Sequence, residues 1–290
     1  DCTFDIQNNL KKRLDQLCSE AEIAVREGCK HLILSDKKIS EKKAAIPMIL
    51  AFGAINSKLV NLGIRGFVSI NVQTGEVLDT HSFAVLLGVG ATTINPYLVF
   101  DSIYQRYEKK LFGKFNYLEC VKRYIKSVDN GLLKIMSKMG ISVLSSYRGG
   151  CNFETVGLSR AIVAEYFPGM ISRISGIGIF GIEQKIKTLH KKAFQKNISI
   201  LPIGGIYKYR KKGENHQYEG QLIHTLQHAV SINSYNAYKK YAQGIYNLPT
   251  INLRDLLAFK NLRKKININE VESVDSLRKR FGSGSMSHGA

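Results

Sequence analysis

Apolar runs of two different periods alternate along most of this 290-residue chain, and that alternation restricts the fold more than any other feature. Between Leu10 and Glu27, apolar residues at Leu14, Leu17, Ala21 and Ala24 form a helical stripe. His31-Leu32-Ile33-Leu34-Ser35-Asp36 is a short apolar run ending in polar residues, as a buried parallel strand would be. Ser40 is placed to cap a helix over roughly 41–61, with Gly63 past its end. Further strands are expected over 66–72, 91–95 and 140–146, and a short one over 170–175. Helices are expected over 79–88, 97–109, 154–166, 183–194 and 221–242, the last carrying Leu222, Leu226 and Val230 on one face. Two helical stretches fill 118–139, with a break at Asp129-Asn130-Gly131. Residues 205–218 alternate like a hairpin around Lys212-Gly213. Strands alternating with helices predict an α/β fold with mostly parallel pairing, either barrel-like or doubly wound. Periodicity does not choose between those two. From about 261 to 284 the chain is charged and short of large apolar groups, which reads as a linker.

A hydrophobic share of 44% is enough for a sizeable core and excludes wholesale disorder. No stretch has 18 uninterrupted apolar residues. The best candidate, Ser82 to Phe100, is broken by Thr92, Thr93, Asn95 and Pro96, so no membrane span is expected. Lys and Arg number 42 against 23 Asp and Glu, a net charge of +19. Such a balance invites a nucleic-acid reading, but 29 of the 42 are Lys and they are spread along the chain. Base-specific binders lean on the planar fork of Arg. A compositional bias with no partner behind it is the favoured explanation of the excess. The five cysteines Cys2, Cys18, Cys29, Cys120 and Cys151 include no CxxC pair, so neither a disulfide framework nor a zinc site is expected. Free thiols suit a reducing cytosol. The opening Asp1-Cys2-Thr3-Phe4-Asp5 does not read as a signal peptide.

Four local motifs carry possible chemistry. Gly176-Ile177-Gly178-Ile179-Phe180-Gly181 matches G-x-G-x-x-G, but the acid that would hold a ribose hydroxyl about 20 residues on is missing, so it reads as a tight turn. His224 and His228 stand one helical turn apart, with Thr225 where a zinc protease would carry Glu and with no third ligand in view. They read as packing or surface residues. Tyr207, Tyr209 and Tyr218 interleave with Lys208, Arg210, Lys211 and Lys212, a pattern that can hold single-stranded nucleic acid or simply line an exposed hairpin. Cys151 follows Arg148-Gly149-Gly150, where a neighbouring cation lowers a thiol pKa, yet no His partner is near in sequence.

Read in order, longer strings resemble one family. They are Ile33-Leu34-Ser35-Asp36, Ala45-Ile46-Pro47-Met48-Ile49-Leu50 and the run His81 to Tyr97, then Gly131 to Ser142, Ser146 to Gly150, Ser172 to Gly178 and Ile223 to Ala229. Together they resemble the central domain of the glutamate synthase large subunit, from Thr3 to about Lys260. Arg280-Phe281 and Met286-Ser287-His288-Gly289-Ala290 are similar to the opening of that family's FMN-binding barrel.

The resemblance implies a rudimentary (β/α) TIM-barrel-like domain over 1–260, and a linker with the start of the FMN domain over 261–290. It implies a fragment of an oxidoreductase that makes two glutamates from glutamine, 2-oxoglutarate and a reductant. This segment would join the glutaminase and FMN domains and line an ammonia tunnel. Thr3 and Phe4 match a stretch near the tunnel entrance, and Met286 and Ser287 match the first approach to the flavin. No catalytic and no metal-binding residue carries over. FMN and a 3Fe-4S cluster are expected outside this segment, and the segment alone is expected to bind neither and to be inactive. The partners implied are the other domains of the same subunit and a flavoprotein small subunit or ferredoxin, in the cytoplasm, with no membrane and no nucleic acid. The alternative is a free-standing basic α/β protein that binds nucleic acid through the 207–218 hairpin.

Overall fold

A computed structural model describes residues 1–195, 203–206 and 208–282. They fall into two units, 1–197 and 198–290. In the first unit the chain runs β1 (Thr3–Asp5), α1 (Leu10–Arg26), β2 (His31–Ser35), β3 (Lys43–Ala45), α2 (Met48–Asn61), β4 (Ser69–Gln73), α3 (Thr80–Gly88), β5 (Thr93–Asn95), α4 (Tyr97–Glu108), α5 (Tyr117–Lys138), α6 (Leu144–Tyr147), β6 (Glu154–Leu158), α7 (Arg160–Tyr166), β7 (Ile171–Ile177) and α8 (Ile179–Ala193). The second unit contains α9 (Gly220–Ser231), α10 (Tyr235–Tyr246) and α11 (Val274–Phe281). The fold is mixed α/β.

The central sheet has the order β2-β4-β5 and is parallel, with His31 opposite Ser69, Ser35 opposite Gln73 and Asn71 opposite Thr93. β6 and β7 form a separate parallel pair, and β1 pairs antiparallel with β3. No barrel is closed among the described residues.

Helix α1 starts where Asn9 accepts the Lys12 N–H at 3.2 Å, and Leu10, Leu14, Leu17, Ala21 and Val25 face the core. Its first turn is clamped from α8. Glu183 accepts the Leu10 N–H at 2.9 Å and pairs with Lys187 at 2.7 Å. Burial works to raise the Glu183 pKa, but the Lys187 ammonium and the Leu10 N–H outweigh it and hold the carboxylate below its usual range.

Helix α2 is buried on nearly every side, from Met48 and Leu50 through Phe52 and Ile55 to Leu59, and forms the middle of the core. It begins at Met48, not near residue 41. Ser40 makes a bridge with Lys43, and Lys43–Ala45 is drawn into a strand by β1. Three further expectations differ from the structure. Residues 140–146 are not a strand: Leu144–Tyr147 is a short helix, anchored by Tyr147, whose hydroxyl donates to the Ala84 carbonyl at 3.1 Å. Residues 154–166 are a strand and then a helix, divided at Ser159, which accepts the Ile162 N–H at 3.3 Å. Helix α5 runs unbroken through Gly131, because α3 crosses there: a Cβ at Gly131 would lie 2.5 Å from Thr80 Oγ1. Gly131 marks a close crossing of helices, not a break.

In the second unit, the expected 221–242 helix is two helices, parted at 232–234, where Ser234 caps α10 by accepting the Ala237 N–H at 3.3 Å. No strand forms among the described residues of 205–218. The expected hairpin is a turn in which Gly213 N–H reaches Arg210 O at 2.9 Å and Glu214 N–H reaches Gly204 O at 2.8 Å. Tyr207 lies outside the described residues. Within 261–284, a 3-10 turn spans Ile268–Glu270 and α11 follows. No described helix is long and apolar enough to cross a membrane.

Candidate functional site

Ligands of open parallel sheets collect beyond the carboxyl ends of the strands, and the first unit gathers its polar side chains there. β2 delivers Asp36, β4 delivers Thr74, Gly75 and Glu76, and β5 is followed by Tyr97. Asp36 is buried. It accepts the Thr74 hydroxyl and, at 3.1 Å, the Gly75 N–H. Thr74 Oγ1 in turn accepts the Glu76 N–H at 3.1 Å. Tyr97 is drawn to the same carboxylate. Burial and then Asp36 push its phenol up to about 12, and Lys37 stands 5.4 Å over its ring. Ser35 donates to Gln73 at 2.8 Å on the adjoining rungs.

Glu76 is the second acid of this rim. Its Oε2 accepts the Met48 N–H at 2.7 Å and so caps α2, where Pro47 offers no side-chain cap. Burial raises its pKa, partly offset by the Met48 N–H, and the Asp36 charge raises it further. A raised carboxyl pKa favours folding below the ordinary glutamate value and is a liability once pH passes the folded value. Glu76→Gln, which keeps the acceptor and removes the charge, is therefore expected to raise stability at pH 7 and to leave it unchanged below about pH 4. Urea titrations at the two pH values check this.

Cys2, just before β1, reaches the end of β2. The Cys2 N–H donates to Ser35 O at 2.7 Å, and the Ile46 N–H donates to Cys2 O at 2.9 Å. Thr3 and Phe4 are buried, with the Thr3 carbonyl accepting Arg13 Nε at 3.2 Å. Burial pushes the Cys2 thiol up to about 11, so it is protonated and inert at neutral pH. Beside the rim, a cavity of about 400 Å³ opens between α2, α3, β6 and α7, walled by Ile49, Leu50, Val85, Leu158, Ile162 and Phe167, with His81 and Glu154 as its ionisable groups. Met286 and Ser287 lie outside the described residues.

The local motifs resolve into structure. The G-x-G-x-x-G string does join a strand to a helix, but a Cβ at Gly176 would sit 2.1 Å from Gly157 O, so this glycine lets β6 and β7 approach. His224 and His228 lie on α9, and no group of three or more metal-ligating side chains forms among the described residues. The loop before Cys151 is tied to the end of α3: Gly149 N–H donates to Leu87 O and Cys151 N–H to Gly88 O, both at 3.1 Å.

The family model for the glutamate synthase central domain matches residues 1–159, more than half of the chain, and a second, for a conserved region in glutamate synthase, matches 216–290. The chain belongs to the glutamate synthase family. It is 49% identical to the glutamate synthase [NADPH] large chain of Azospirillum brasilense, over 100% of this chain and 19% of that protein. It is 40% identical to the large chain of Bacillus subtilis (strain 168), over 97% of this chain and 19% of that one. The chloroplastic ferredoxin-dependent glutamate synthase of Spinacia oleracea is 38% identical, over 98% of this chain and 18% of its own length. The chain thus spans about a fifth of the glutamate synthases it matches. The glutamate synthase match covers both units, and the free-standing nucleic-acid-binding reading finds no support in it.

The synthase rim was not visible as a site in the sequence. Asp36, Thr74, Glu76 and Tyr97 come from three separate strand ends. The available signal was the polar residue that follows each apolar strand run.

Proposed function

We propose that this chain is the scaffold segment of a glutamate synthase large chain, which converts glutamine, 2-oxoglutarate and a reductant into two glutamates. It joins the glutaminase and FMN domains and forms part of the wall along which ammonia passes between them. The central-domain match over 1–159 carries this reading. The central domain runs over 1–260 and the approach to the FMN domain over 261–290. Its three-stranded parallel sheet, with polar groups at the carboxyl ends, is what a reduced (β/α) barrel would keep.

Thr3 and Phe4 lie on the tunnel side, and Met286 and Ser287 lead to the flavin. FMN and a 3Fe-4S cluster serve the intact enzyme from outside this segment. The described cysteines do not fit a cluster, since Cys2, Cys18, Cys29, Cys120 and Cys151 do not gather with one another. The other domains of the large chain are the direct partners, and a flavoprotein small subunit or ferredoxin supplies electrons. Free thiols on all five cysteines agree with a cytoplasmic setting.

The test uses the full-length synthase. Thr3→Phe should lower glutamine-driven glutamate formation at least about tenfold, ~1.4 kcal/mol in transition-state terms, and leave ammonia-driven formation intact. Thr3→Val, of the same volume, should leave both near wild type. Equal loss in the two assays, or no loss in either, ends the tunnel assignment.

A further inference from the structure

We draw no further inference here: the strongest candidate, an anion site at the cations Arg65 and Arg148 beside the turn after α3, rests on the lowered Arg65 pKa alone, since the Arg65 guanidinium is already held by Asn56 and by the Val68 and Gly90 carbonyls.

Discussion

Asp36→Ala is expected to destabilise the protein by about 2–6 kcal/mol, since each buried donor left without an acceptor costs about 1–3 kcal/mol. Two donors lose their partner, the Thr74 hydroxyl and the Gly75 N–H. Both are backed by the rigid sheet: Thr74 N–H is fixed to Asn95 O at 3.0 Å, and Asp36 N–H to Gln73 O at 3.3 Å. The loop therefore cannot swing out to water without breaking rungs between neighbouring strands. Asp36→Asn keeps one oxygen acceptor and should lose about half as much. Urea midpoints at unchanged slope measure both. A loss below about 1 kcal/mol for Asp36→Ala would show that water replaces the carboxylate, and that the rim is open rather than built.

Gly176→Ala is the second large effect, with an expected loss of about 3 kcal/mol from overpacking. The added methyl would stand 2.1 Å from Gly157 O and 2.4 Å from its carbonyl carbon. These are backbone atoms of the paired strand, so no side-chain rotation relieves the contact. Gly178→Ala is the internal comparison. It meets nothing nearer than Ser159 Oγ at 4.0 Å, and should cost under about 1 kcal/mol. A phosphate-cradling loop would need both glycines for close approach of a ligand. A large loss at Gly176 with little at Gly178, read by denaturation in the absence of any nucleotide, assigns the string to strand packing. Equal, small losses would remove that explanation.

Both effects lie where residues far apart in the chain meet, and this separates what could be read from the sequence from what could not. The periods of α1, β2, α3 and α4 were readable, and in α1 the stripe of Leu14, Leu17 and Ala21 is the face that is buried. The family was plain too, because long strings in order specify it even where no single motif does.

The start of α2, the strand at Glu154–Leu158 and the continuity of α5 through Gly131 were not readable. A partner decides each of them: β1 for the segment before α2, β7 for β6, and Thr80 for Gly131. The rim is the extreme case. Asp36 and Thr74 are 38 residues apart, and no local period connects them. By itself the sequence determined the class of fold, the alternation of its elements and the family. The tertiary structure alone decided which polar residues share one rim. Side-chain periodicity records whether a residue is buried, whereas only the pairing of strands sets what it is buried against.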